Sequence, residues 1–225
     1  DDIEADDIIA AYCLKYNNKE EIFLYSNDRD FAQLLDLNIT IIFPNIDQPV
    51  TKTNYMMYFD HHYSNALMLK IICGDTSDNI KGVGGIKEKT LLEHFPEIKY
   101  KHLTVREICA KADEINKQRV VTKKKPLKAF ENLLGNIGRL KTNFKLVNLR
   151  EPILNEQAVI AISDLDVPLD IRNRGGKNLL PMMREDDFLS VYGSTYVQYV
   201  DPFYTVVSRE RDLYKEYYKN NRQYL

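Results

Sequence analysis

Gly74-Asp75-Thr76-Ser77-Asp78-Asn79-Ile80-Lys81-Gly82-Val83-Gly84-Gly85-Ile86-Lys87-Glu88-Lys89-Thr90 is the stretch on which the reading of this chain turns. It sets two carboxylates, Asp75 and Asp78, in a loop directly behind an apolar helical run, Ala66 to Cys73. A few residues later Gly82, Gly84 and Gly85 form a tight turn that opens a helix over Lys87 to His94. Glycine lets a backbone come close to a phosphate, and a helix start offers free N–H groups. Lys87 and Lys89 add positive charge there. The spacing is neither a Walker A loop nor a dinucleotide-binding fingerprint. Taken alone, a glycine-rich helix entry is more often a plain turn. Following Asp78 this closely, it reads as a helix–turn–helix that grips a DNA backbone.

Upstream, Ile22-Phe23-Leu24-Tyr25-Ser26 and Ile39-Thr40-Ile41-Ile42-Phe43 read as short buried strands, the second stopped by Pro44. A helical pattern over Asp6 to Tyr16 precedes them and another, Asp30 to Leu35, lies between them. Strand, helix and strand in such short succession predict an α/β unit with a parallel sheet. Asn54 to His62 and Ala66 to Cys73 read as helices, and from Val105 to about Leu140 the chain is mainly helical. Two more acidic groups flank these elements: Glu4-Ala5-Asp6-Asp7 at a helix start and Asp28-Arg29-Asp30 just past a strand end. Acidic residues in a first helical turn can simply complement its dipole and cap free amides. The combination argues for more. Extended backbone would aim Asp28 and Asp30 to one side, at the carboxyl ends of strands where open α/β sheets place their sites. Seven carboxylates converging there repel one another unless cations neutralise them. Such hard oxygen ligands suit Mg²⁺ or Mn²⁺, and two ions can activate water and stabilise the leaving oxygen of a phosphodiester.

The 225 residues carry 44% hydrophobic and 28% charged side chains, a globular balance. A net charge of −2 conceals a polarity: residues 1–80 sum to −9, 81–150 to +10 and 151–225 to −3. Two solvated faces would explain this, as would an acidic metal-binding segment beside a surface that holds a polyanion. The basic run of Lys117, Arg119, Lys123, Lys124, Lys125 and Lys128 reads equally as a solvated loop or as a sequence-independent phosphate contact. Cys13, Cys73 and Cys109 are far apart and lack CxxC spacing, which disfavours a disulfide framework or zinc. His61-His62 lies outside the acidic motifs and reads as surface or packing. The apolar runs fall short of a membrane span, and the opening residues lack the pattern of a signal peptide. A reduced, cytoplasmic setting is expected, in a bacterial cell or a phage-infected host.

Together, Glu-Ala-Asp-Asp opening a helix, Ser-x-Asp-x-Asp-Phe after a strand, and Gly-Asp-x-x-Asp-Asn-Ile-x-Gly-Val-x-Gly-Ile-x-x-Lys-Thr resemble the 5′-nuclease (flap endonuclease) superfamily. The likeness is greatest to its small bacterial and phage members, the 5′–3′ exonucleases and phage RNase H. Here the motifs are Glu4 to Asp7, Ser26 to Phe31 and Gly74 to Thr90; a looser similarity runs to about Leu149. The resemblance implies a PIN-like core, a parallel sheet with helices on both faces, in residues 1–73. It implies a helix–three-turn–helix DNA-binding region in 74–150, and leaves 151–225 as an extension of unknown role. Glu4, Asp6 and Asp28 would hold the metal nearer the scissile phosphate, and Asp30, Asp75 and Asp78 the second. Asp7 matches an additional acidic position. Gly82, Gly84, Gly85, Ile86, Lys87, Lys89 and Thr90, with Lys123, Lys124 and Lys125, would contact DNA, with K⁺ held by main-chain oxygens of the turn. The family also carries a region before Glu-Ala-Asp-Asp, with a first strand, two further ligand Asp residues and a basic helical arch. None of it is present here, so the N-terminal part of the fold is expected to be missing. The implied activity is metal-dependent, structure-specific hydrolysis of DNA flaps, nicked duplex or RNA primers, with a clamp or single-strand-binding protein as partner. A non-catalytic DNA-binding module and a PIN-type ribonuclease are the rival readings.

Overall fold

The computed structural model describes residues 3–164, together with Pro181 and Glu185. Most of the expected extension 151–225 therefore lies outside the described residues. Helix α1, Ala5–Tyr16, leads to strand β1, Ile22–Tyr25, a 3-10 segment, Arg29–Leu34, and strand β2, Ile39–Ile42. β1 and β2 pair in parallel with Ile22 opposite Ile39 and Tyr25 opposite Ile42, and Val50 adds an antiparallel bridge to Ile41 on the other edge of β2. The expected strand–helix–strand unit with a parallel pairing is therefore present. β1 differs from expectation in burial. Leu24 is buried, but Phe23 and Tyr25 on the alternate face are 58% and 72% exposed. A strand's side chains alternate between faces, and among the described residues only one face of β1 is covered.

A second departure is Asn54 to His62. In place of a helix there is one 3-10 turn, Tyr55–Met57, and then a bend into a second, Tyr63–Asn65. Asn54 turns back on the chain, accepting from the main-chain N–H of Thr51 and donating to Pro49, the local competition for which Asn is known. Tyr55 and Phe59, one helical turn apart, stack at 4.4 Å between centroids. His62 then gives its N–H to Ile98.

From Ala66 the chain is helical: α2, Ala66–Cys73; α3, Glu88–His94; α4, Val105–Val121; α5, Lys128–Gly135; α6, Ile137–Val147; α7, Glu156–Asp164. α4 carries a full capping box, Thr104 and Glu107 satisfying each other's main-chain N–H. Between α2 and α3 lies a short antiparallel ribbon, β3, Gly74–Asp75, and β4, Ile80–Lys81.

Apolar residues gather in two cores. One surrounds Phe31, Leu34, Ile41 and Tyr55 and receives Ala10 and Cys13 of α1. The other surrounds Ile72, Leu91, Phe95, Ile108 and Phe130. Buried amides stitch the molecule. Gln33 donates to Val147 and accepts from Leu149. Asn65 donates to Ile98 and Lys101 and accepts from Leu103. Asn143 donates to both Ile71 and Lys81. Each amide bonds main-chain groups far from it in sequence.

Candidate metal centre and phosphate-facing turn

At the end of β1 the backbone does not remain extended. Ser26 accepts from the Asp28 N–H, and Asp28 accepts from the Asp30 N–H at 2.8 Å, so Asp28 caps the 3-10 segment that begins at Arg29. Asp28 and Asp30 line the same cleft, as expected, although the turn and not a continued strand places Asp30 there. Asp30 meets Asp75 and Asp78: one carboxylate oxygen from each of the three lies within 4.8 Å of the others. Asp28 interacts with Asp6 of α1 and also feels the charges of Lys70, Asp75 and Asp78.

Electrostatics distinguish the two loci. Burial pushes the Asp6 carboxyl above the usual range, and the neighbouring Asp28 and Glu4 push it further. Asp28 is also raised, first by burial, although Lys70 works against the shift. Asp75 goes the other way. Burial would raise it, but the Ser77 hydroxyl and N–H and the Lys70 ammonium outweigh that and hold it well below the carboxylate range. Asp7 departs from expectation. Adjacent helical residues point about 100° apart, and Asp7 accepts instead from the main-chain N–H of Ile153.

Lys70 was not among the residues singled out from the sequence. It is the one charged side chain of the eight-residue helix α2, and that isolation in an apolar run was the available signal. Its ammonium lies 3.0 Å from Asp75 and 3.0 Å from Asp78 and is also paired with Asp30, with its side chain only 9% exposed. Burial lowers the Lys70 pKa, yet the bonds to Asp75 and Asp78 leave it raised overall. Asp28, Asp30, Lys70 and Asp75 line an open cleft of about 1070 Å³ that extends to Glu88 and Lys89 at the start of α3.

The glycine turn is built by close contact. Gly74 has φ +72°, and a Cβ there would lie 2.2 Å from the Gly82 nitrogen, while one on Gly82 would lie 2.0 Å from the Cys73 oxygen. Both positions demand glycine. Val83 and Ile86 are buried in the second core, so the Ile86 side chain faces away from solvent and only its main chain is available to a ligand. Gly84, Gly85, Lys87 and Lys89 are exposed. Asn132 and Arg139 donate to the carbonyls of Gly84 and Gly82, which fixes the turn against α5 and α6. Neither was visible as a site residue in the sequence. Lys123, at φ +56°, Lys124 and Lys125 are exposed in the loop that leads into α5. The Arg119 guanidinium donates to the Lys125 carbonyl and shapes this loop.

The donor set fits a hard divalent cation, offering three oxygens at convergent spacing with no sulfur or imidazole. The carbonyls of Lys81, Gly82, Val83 and Gly84 each accept a hydrogen bond.

No family model matches the chain. Over 99 residues it is 35% identical to a 5′–3′ exonuclease of Mycoplasmopsis pulmonis, covering 42% of this chain and 33% of that protein. Over 93 residues it is 37% identical to a 5′–3′ exonuclease of Halalkalibacterium halodurans, covering 40% of this chain and 31% of that protein. The chain thus matches about a third of the length of these curated relatives. In fold it is similar to the flap endonuclease of bacteriophage T5, solved as a pseudo-enzyme–product complex with DNA and metal ions. The TM-score is 0.52 at 23% identity, over 73% of this chain and 55% of the other. The small parallel pairing flanked by helices is common ground, and the resemblance of the motifs to the 5′-nuclease superfamily holds in both sequence and fold.

Proposed function

We propose that this chain is a divalent-metal-dependent 5′-nuclease that hydrolyses phosphodiester bonds in flap or nicked DNA and in RNA primers. The supporting observation is the cleft itself. Asp30, Asp75 and Asp78 form a convergent carboxylate ring, and the cleft lined by Asp30 and Asp75 reaches Glu88 and Lys89 at the start of α3, directly after the exposed glycine turn and Lys87. In this reading Glu4, Asp6 and Asp28 hold one Mg²⁺ or Mn²⁺ and Asp30, Asp75 and Asp78 the other. When bound, the pair would supply an activated water and stabilise the leaving oxygen. Asp28 and Asp6, both held above the normal carboxylate range, are the groups that gain most from a nearby cation.

The chain's own residues do the rest. Residues 1–73 supply most of the acids, and residues 74–150 form a helix–three-turn–helix grip. N–H groups and lysines of the turn bind backbone phosphates without reading bases, and K⁺ on its main-chain oxygens would add to that hold. Lys123, Lys124 and Lys125 extend the contact along the duplex. A cytoplasmic setting and a sliding-clamp or single-strand-binding partner belong to the same proposal.

A non-catalytic DNA-binding module is the weaker reading, because concentrating buried carboxylates beside a polyanion does nothing for affinity. A PIN-type ribonuclease would not need the glycine turn. One experiment separates the three: incubation of the full chain with 5′-flap DNA and with single-stranded RNA, with and without Mg²⁺. Mg²⁺-dependent release of the flap supports the nuclease. Binding without cleavage supports the module, and cleavage of RNA alone supports the ribonuclease.

A further inference from the structure

We propose that Lys70 is an internal counter-ion of the Asp30–Asp75–Asp78 ring, occupying the place a divalent cation takes, so that metal loading expels it into the cleft. The inference rests on the metal-site reading above and adds a residue to it.

The geometry carries the argument. An ammonium has three N–H donors and no acceptor, and Lys70 meets three carboxylates, one from each ring member. Its stem rises from α2, whose neighbours Leu69, Ile71 and Ile72 are buried in the second core, so the charge is delivered from the apolar side. Without it, three carboxylates with oxygens inside 4.8 Å of one another would repel strongly in a partly desolvated setting. Lys70 therefore keeps the ring assembled in the metal-free protein. A divalent ion would bind the same oxygens at about 2.0–2.6 Å. An ammonium remaining 3.0 Å from those oxygens would lie within a few ångströms of the ion, a repulsion too large to persist. The two cations exclude each other. The flexible four-carbon stem of lysine allows the ammonium to leave without unfolding α2. It then stands in the cleft that also holds Lys89, where an incoming phosphate would meet it.

The experiment is a titration of the full chain with Mn²⁺, following the free-ion electron paramagnetic resonance signal, for wild type and Lys70→Met. Removing the competitor should tighten Mn²⁺ binding by about tenfold or more. Equal or weaker binding by the variant, with saturable binding by wild type, overturns the role of Lys70 and leaves the metal site standing. Absence of saturable binding in wild type overturns the metal-site reading itself. A second measurement needs no variant. Acylation of Lys70 in wild type, read by peptide mass spectrometry, should be slow in chelator and faster by several-fold with saturating Mg²⁺. An unchanged rate overturns the expulsion.

Discussion

The acidic region up to Asn65 and the helical region that follows handle charge and backbone in opposite ways. Beyond helix α1 the first is made of short strands and 3-10 turns, leaves Phe23 and Tyr25 bare on β1, and sets half-buried acids beside one another. The second is mostly helical, and its buried polar groups are neutral amides with named partners. The first keeps carboxylates where they are uncomfortable, which is the usual physical mark of a site that expects a ligand. Lys70 is the link: it grows from the helical region and pairs with Asp30 of the acidic one as well as with Asp75 and Asp78.

The contrast breaks first at activity. Asp28→Asn and Asp75→Asn should each reduce Mg²⁺-dependent flap cleavage by roughly 100-fold or more while leaving duplex affinity nearly unchanged. Wild-type cleavage by either would remove that carboxylate from the metal assignment. Next in size is the junction. Gly74→Ala combines a left-handed φ with a backbone collision and should lower stability by about 3 kcal/mol or more, read as a fall in Tm of several degrees. Asn65→Ala leaves the Lys101 carbonyl and the Leu103 N–H without this partner, while the Ile98 carbonyl keeps the His62 N–H, and should cost about 2 kcal/mol, measured by urea unfolding.

On binding, replacing Lys87 and Lys89 together by Ala should weaken duplex affinity alike for all sequences and reduce the salt slope by up to about 2. An unchanged slope would locate the phosphate grip elsewhere. The smallest effect is the sharpest test of the comparison, because two neighbouring acids should move in opposite directions. In metal-free protein Asp28 has a raised pKa, so its ionisation on folding costs stability, and that cost grows as pH rises above the unfolded value near 3.8. Asp28→Asn should therefore raise Tm at pH 7 by a few degrees. Asp75 has a depressed pKa, so it contributes stability above the unfolded value that is lost as pH falls through the folded one. Asp75→Asn should lower Tm at pH 7. Differential scanning fluorimetry in chelator across pH 3–8 reads both.

Much of this was legible in the sequence, and the failures have physical causes. The glycine turn, the parallel pairing of β1 and β2, and α2 through α4 follow from local patterns that tertiary contacts reinforce. Convergence of Asp30 with Asp75 and Asp78 followed from motif order. Spacing placed Asp28 and Asp30 on one cleft but could not show that Asp28 caps a turn, because the i, i+2 rule assumes extended backbone. The segment 54–62 carried enough apolar residues for a helix, but Asn54 bonds back to Thr51 and Pro49 and a 3-10 turn forms instead. Lys70 escaped because charge patterning looks for runs, and a single cation inside an apolar helix is not a run. Asn132, Arg139 and Asn143 act across 48 to 72 residues of sequence, a distance that no local pattern encodes.

The contact between Gly74 and Gly82 has a mechanical meaning. Asp75 follows one glycine and the exposed turn begins at the other, and their backbones touch with no side chain between them. Under the nuclease reading, the point where duplex is clasped and the point where it is cut are two legs of a pair of dividers with a common pivot. The interval between them is then a property of that pivot and not of the DNA sequence. An added methyl group would change the setting of the instrument, and the sign of it would be a shift in product length.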